Sequence, residues 1–488
     1  MSRIVDMLQK DGPMLSGVIA EKLITQYNLT PTAARQEISR ASPPVRKMKN
    51  INFDNNQKFV YLDEQYRKDS FFEILLRCLQ ESSKSYYYFL KAIIFHHGFI
   101  SVKQLPAYSC SPIEPLKGHK LAQEIIKGLH LSGLLSRYDE GLWHLDPDLK
   151  IATNISRYKA IEIAKKTVMN DFVDWARKIN LISYNRGKFL SEAPEFFKMQ
   201  WGFTAPSYIQ GIRKEKLTPG FIVADVLLGE APEETDIEFF LKKIAIIRQC
   251  KNAPPFVPVL IADCFKESAF KKLKKEGVFL GFVNTLFGSE YANMLKSLVN
   301  IIENASNIIT QHPDRYFELI DSIAKMGGKA SNLKGDVFEL AVGYYYSQHA
   351  RSIEVNKNII EHENGKAKEI DVFVDYSPTE IRIVECKGYN YPLEEEFVDK
   401  WLHDNIPAIR DWILSQDDYA RKSITFELWS TGGFSEAALH KLKDASERTR
   451  KYKIRFLGKE DILRKSQEDG NKNLQRIIKV YFSDEFGL

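Results

Sequence analysis

Residues able to act on a phosphate ester gather near the C-terminal end of the chain. The stretch EIDVFVDYSPTEIRIVECKGYN, Glu369 to Asn390, holds two apolar strand-like runs interrupted by Asp371, Glu385 and Lys387. Side chains alternate along a strand, so Glu385 and Lys387 project to one side while Val384 and Cys386 face the other. Asp371 lies in the preceding run, and the turn Pro378-Thr379-Glu380 lets the two strands pair and brings its carboxylate close to Glu385. Paired carboxylates are oxygen ligands suited to Mg2+ or Mn2+, hard ions that bind phosphate oxygens and lower the pKa of water. Lys387 would then orient the water or stabilise the added negative charge of a pentavalent phosphorus. Glu-x-Lys is a short pattern, yet Glu385 to Lys387 is its only instance in the chain. On a solvated surface strand the two charges would merely pair, a contact worth ~0–1 kcal/mol. Ile381, Ile383 and Val384 instead mark a buried strand.

The secondary structure around these residues begins at about Gly335. A helix, GDVFELAVGYYYSQH, is followed by strands SIEVNKNIIEH, EIDVFVDY and IRIVECKGY. Then come a helix from Leu393 to about Asp417, the strand SITFELWSTGGF, a helix and the strand KIRFLG. Over residues 335–460 this order, with Asp371 and Glu385-Cys386-Lys387 at its centre, resembles the PD-(D/E)xK nuclease superfamily, the restriction-endonuclease-like fold. The resemblance implies that Asp371 and Glu385 bind the metal with the main-chain carbonyl of Cys386. It also offers Glu339, on the first helix, as a further catalytic acid. Ile370 stands where the family's name has proline.

Residues 148–288 run through a similar order: a helix, three strands including SYIQGIR and FIVADVLLG, a helix, a strand, a helix and a strand. Laid without a gap on the C-terminal stretch, Gln210 falls on Asp371, Ala224 on Glu385 and Val226 on Lys387. Asp225 would point to the opposite face. The expectation is an internal duplication whose middle copy lacks catalytic residues, joined to the C-terminal copy by a helical connector over 289–334.

The N-terminal segment LSGVIAEKLITQYNLTPTAARQEISRAS reads as helix, turn, helix, with Thr30-Pro31 as cap and first helical residue. Two alternating strands joined by Asp54-Asn55-Asn56 follow. Helix, turn, helix and hairpin resemble a winged-helix domain over residues 1–66, and residues 67–147 repeat the order more weakly. In the first copy Arg35, Gln36 and Arg40 lie on the polar face of the second helix, and Arg46, Lys47 and Lys49 begin the wing. These are the candidate DNA contacts, phosphates fixing position and the helix entering the major groove. The second copy is less basic and could equally serve protein contacts.

The whole is a multidomain α/β and α+β chain: tandem winged helices, a degenerate restriction-endonuclease-like domain over 148–288, a helical connector, and a C-terminal PD-(D/E)xK domain over 335–488. At 488 residues and 56.3 kDa several domains are expected. A net charge of +5 from 69 basic and 64 acidic residues is too even to indicate a polyanion partner without local clustering. Five scattered cysteines suggest neither a zinc ribbon nor disulfides, and no signal peptide or membrane-length apolar run appears, so a cytoplasmic protein without a membrane partner is expected. His96-His97 reads as a capping or surface pair, Lys271–Gly277 as a solvated helix face, and no Walker A motif is present. Together these features predict a metal-dependent DNA endonuclease, with Mg2+ or Mn2+ as cofactor and a homodimer or partner protein to cut both strands. Defence against foreign DNA is a role the resemblance implies. A non-catalytic DNA-binding or scaffolding subunit, or an RNA nuclease, remain the alternatives.

Overall fold

The computed structural model describes residues 3–66, 68, 70–138, 141–149, 151–183, 187–189, 194–212, 218–311, 333–360 and 367–482. The chain is a mixed α/β protein with several sheets, gathered into two compact units. The first comprises Met1–Tyr158 and Phe172–Val283, the second Lys159–Asp171 and Asn284–Leu488. Among the described residues no helix is long and apolar enough to cross a membrane.

In the first unit, helices Arg3–Asp11, Ser16–Tyr27 and Pro31–Arg40 pack on a three-stranded antiparallel sheet, ordered Met14–Leu15, Phe59–Leu62, Val45–Lys47. Ile4, Leu8, Ile19, Leu23, Ile38 and Val60 form its core. The first helix and the Met14–Leu15 strand were not expected from sequence. Ile4, Met7 and Leu8 nevertheless carry the i, i+3, i+4 signal and are buried. Thr30 caps Pro31–Arg40 by accepting a hydrogen bond from the Ala33 amide at 3.2 Å. The hairpin turn falls at Asp54–Asn56, where Asn55 and Asn56 take φ of 56° and 57°, a conformation asparagine tolerates better than most residues.

The next region has the same sheet order: Phe99–Ser101, then Leu142–Leu145, then Leu135–Arg137, all antiparallel. Its helices are Phe71–Ser82, Lys84–Phe95 and Ala122–Leu131, with a short 3-10 turn at Leu105–Tyr108. Helix Ala122–Leu131 meets the preceding region at Asn50. The Asn50 side chain donates to Leu131 O at 3.0 Å, and a Cβ on Gly128 would lie 2.7 Å from Asn50 O.

A five-stranded sheet completes the first unit, in the order Lys188–Phe189, Phe203–Ser207, Gly220–Leu227, Phe256–Ala262, Phe279–Phe282. SYIQGIR does not form the second strand: Phe203–Ser207 does, and Gln210 lies beyond its end. That strand contains Pro206, whose nitrogen cannot donate to a ladder. Its carbonyl accepts from the Ser183 amide at 3.0 Å.

The second unit holds another five-stranded sheet, in the order Ser352–Ile360, Ala367–Ser377, Glu380–Lys387, Ser423–Ser430, Lys453–Leu457. Both five-stranded sheets run antiparallel, antiparallel, parallel, parallel from first strand to last. The long helix after the third strand is α-helical over Glu395–Lys400 and Ile406–Leu414, with a π-helical turn at Trp401–Asn405. Pro407 accounts for the irregularity, since it removes an amide donor from the helix interior. Helices Lys459–Glu468 and Lys472–Tyr481, not expected from sequence, pack near helix Leu333–Ser347, where the Tyr345 hydroxyl bonds Asp469 at 2.5 Å. Of the expected connector, helix Ser289–Gln311 is present, and residues 312–332 lie outside the described residues.

Candidate active site

Asp371, Glu385 and Lys387 meet where their two strands part. The ladder between Ala367–Ser377 and Glu380–Lys387 runs from Ser377 opposite Glu380 to Val372 opposite Val384. One step further the Cys386 amide donates to Asp371 Oδ2 at 2.7 Å, fixing that carboxylate over the end of the neighbouring strand. Lys387 Nζ lies 3.3 Å from Asp371 Oδ2, 2.8 Å from Glu385 Oε1 and 3.0 Å from Cys386 O. One ammonium is thus bonded to both acids and to the intervening carbonyl.

The electrostatics follow from burial. Asp371 is 9% exposed, and loss of water together with the Glu385 charge pushes its pKa up to about 7 against the opposing pull of Lys387. Burial alone would lower the pKa of Lys387, but Asp371 and Glu385 outweigh it and hold the ammonium charged. Burial also pushes the Cys386 thiol well up, and Asp371 adds to that, so its sulfur stays protonated and its main chain is what it offers.

Glu339 is half-buried on helix Leu333–Ser347, and its charge acts on both Lys387 and Cys386. Among the described residues, however, no three His, Cys, Asp or Glu side chains stand together as a metal-holding group. Two neighbours went unnoticed in the sequence. Glu369, two residues before Asp371 on the same strand face, raises the Asp371 pKa and pairs with Lys159 at 2.6 Å. The period of two was the available signal. Thr431 donates to Tyr389 O at 2.8 Å, bracing the chain just after Lys387, and nothing local in the sequence announces that contact.

The middle sheet corrects the ungapped alignment. Strands Gly220–Leu227 and Glu380–Lys387 each have eight residues, and their ladders to the preceding strand end at Ala224–Phe203 and Val384–Val372. Superposing the ladders puts Asp225, not Ala224, at the place of Glu385. Gly202, not Gln210, takes the place of Asp371, and Leu227, not Val226, that of Lys387. Packing agrees: Val223 and Leu227 share a core with helix Glu234–Arg248, as Ile381 and Ile383 do with the helix after their strand. The face of Asp225 is therefore the face of Glu385. More residues separate Ser207 from Gly220 than Ser377 from Glu380, so no ungapped alignment holds both strands in register.

Asp225 has its own cation. Lys243 Nζ lies 3.0 Å from Asp225 Oδ2, 2.9 Å from Gln200 O, 2.7 Å from Ala107 O and 3.8 Å from the Trp201 ring centroid. Asp225 Oδ1 accepts from the Gly202 amide at 2.6 Å, and both charged residues are wholly buried. Burial lowers the pKa of Lys243, and Asp225 opposes it.

Of the candidate DNA contacts, Arg35, Gln36, Arg40 and Lys49 are exposed. Arg46 is also exposed but bonds Asp63 at 2.6 Å. Lys47 turns inward: its Nζ donates to Ser39 O at 2.8 Å and Ala41 O at 3.4 Å, closing the end of helix Pro31–Arg40, and burial lowers its pKa. His96 is buried rather than on the surface, with Nδ1 2.7 Å from Ala92 O at the end of its helix. Lys271 and Lys272 pair with Glu267 and Glu234 on the helix surface.

No family model matches the chain. No curated protein matches it. Among solved structures it is similar to restriction endonuclease FokI bound to DNA, at 11% identity and a TM-score of 0.18. That match covers 58% of this chain and 63% of the FokI chain, less than two thirds of its length. At such a TM-score the likeness carries no argument about fold or function.

Proposed function

We propose that the second unit is a divalent-metal-dependent nuclease of the PD-(D/E)xK type, hydrolysing phosphodiester bonds in DNA. The observation that carries this reading is the gathering of Asp371, Glu385 and the Cys386 carbonyl around a single ammonium at the parting of two strands. The donor set fits a hard cation. It is all oxygen, and the pKa of Asp371 near 7 marks two carboxylates that Lys387 alone does not fully compensate. Asp371, Glu385 and Cys386 O would hold Mg2+ or Mn2+, with remaining positions left to water and phosphate oxygens, as Mg2+ prefers. When bound, the ion supplies Lewis-acid polarisation of the phosphate and acidifies water.

The chain's own groups do the rest. Lys387, freed from the carboxylates, places its charge where the phosphorus gains negative charge as the water oxygen bonds to it and the ester oxygen leaves. Glu339 adds negative charge beside Lys387, keeping it protonated. Residues 1–66 would bring the DNA through Arg35, Gln36, Arg40 and Lys49, phosphate contacts setting position. The middle sheet, with Gly202 and Leu227 in place of the second acid and the lysine, would bind no catalytic metal. The test is cleavage of supercoiled, linear and single-stranded DNA and of RNA by the full chain, with Mg2+, Mn2+ or EDTA. Metal-dependent cutting of DNA is expected; cutting of RNA alone, or none on any substrate, would count against the proposal.

A further inference from the structure

Four residues after Lys387, Tyr391 is 61% exposed, and its ring lies 4.9 Å from that of Tyr389 with 8° between their planes. A tyrosine on a loose loop would lose much entropy on binding, but this one is held. Thr431 donates to Tyr389 O at 2.8 Å, and the Leu393 amide donates to Gly433 O at 3.0 Å. The Ser435 amide returns a bond to Leu393 O at 3.0 Å. Gly432 lies flat against Tyr391: a Cβ there would come 2.0 Å from the Tyr391 carbonyl oxygen. Tyr389 is half-buried and packs on the domain core, so one ring is anchored and backs the other. The result is an aromatic surface that is rigid before anything binds it.

We propose that the Tyr389–Tyr391 stack is a platform for an unpaired nucleobase next to the scissile phosphate, so that the substrate is DNA with at least one unstacked nucleotide at the cleavage position. This rests on the nuclease reading given above. Four residues span at most about 14 Å, so the platform is within a nucleotide or two of Lys387. Charge sets the direction. A divalent ion held by Asp371 and Glu385 would draw phosphate to that end, while exposed Glu394 and Glu396, beside Glu395 paired with Lys441 at 2.9 Å, put negative charge at the start of the next helix and disfavour phosphate there. What rests on the ring is therefore the uncharged face of a base, and base–aromatic stacking is indifferent to base identity.

The experiment uses the full chain and two 2-aminopurine-labelled oligonucleotides, one fully paired and one with the labelled base unpaired, with Ca2+ as the oxygen-seeking divalent ion and gels confirming that the oligonucleotides stay intact. Wild-type protein is expected to quench the unpaired label, and Tyr391→Ala to abolish the quench and lower the preference for unpaired over paired DNA about tenfold. Tyr391→Phe, which keeps the ring, is expected to keep both. An unchanged preference in Tyr391→Ala overturns the platform, as does failure of the wild type to prefer unpaired DNA, and both outcomes leave the ring to another partner such as a protein. Metal-dependent cleavage is scored separately. Cutting by the wild type with no effect of Tyr391→Ala sinks the platform alone, whereas a Tyr391-dependent quench in a protein that never cuts sinks the nuclease reading alone.

Discussion

Lys387 is the residue on which the C-terminal site turns. Its ammonium satisfies two buried carboxylates that would otherwise repel, and the same charge is what a crowded phosphate needs. The compensation is incomplete, and Asp371 registers it. A carboxyl whose pKa rises on folding, here from 3.8 to about 7, binds its proton more tightly in the native state than in the unfolded one. Stability contributed at Asp371 is therefore present below pH 3.8 and is lost as pH rises to about 7. Without divalent ions, Asp371→Asn should remove that slope and be more stable than wild type at pH 8, by no more than about 4 kcal/mol, since a tenfold change in proton affinity is worth about 1.4 kcal/mol. Urea unfolding from pH 4 to pH 8 measures it, and superimposable profiles for the two proteins would refute the electrostatic description. Excess Mg2+ should narrow the difference at high pH, because only the wild type retains both acids to bind it.

Among the elements, the third strand of each five-stranded sheet places its acid next to a different partner. Glu385 meets a lysine two residues on, whereas Asp225 meets Lys243 from the following helix, which also reaches Ala107 O. Lys243→Ala would take the compensating ammonium from Asp225 in the core, at a cost of about 3–5 kcal/mol, while Asp225→Leu with Lys243→Met should lose much less. Denaturant midpoints for both proteins test this; equal losses would mean the pair's hydrogen bonds, not its charges, hold the region. In the N-terminal region, helix Pro31–Arg40 presents Arg35 and Arg40 outward, and Lys47 is used to close it. Arg35→Ala, Arg40→Ala and Lys49→Ala together should weaken duplex binding and flatten the log-log plot of affinity against salt, its slope falling by about 0.9 for each phosphate no longer neutralised. Lys47→Ala should mainly lower stability, and a salt slope changed as much by Lys47→Ala as by the others would contradict that division. Where alternation and capping are local, as at Glu385, Lys387 and Thr30, sequence disclosed the element and the facing of its side chains. It failed where residues outside the local run decide: Phe203–Ser207 pairs as a strand although it contains Pro206, and the longer connection before Gly220 defeats an ungapped alignment with Glu380–Lys387. The direction of Lys47 and the partnership of Lys243 likewise depend on residues far along the chain.

For the whole molecule, two sheets of like topology carry unlike sites: one acid sealed by an internal ammonium in the first unit, two acids bridged by a lysine of the same strand in the second. With one candidate site among the described residues, the proposed nuclease would need two chains or two encounters to cut both strands. In the proposed mechanism Asp371 and Glu385 hold a divalent ion while Lys387 acts on the phosphate. The most direct measurement is metal-dependent cleavage of supercoiled DNA by purified Lys387→Ala protein, with Mn2+ binding to the same sample followed by calorimetry. Folded Lys387→Ala that binds Mn2+ at least as tightly as wild type, since its competing ammonium is gone, yet no longer cuts is the expected result; cleavage at the wild-type rate would contradict the assignment.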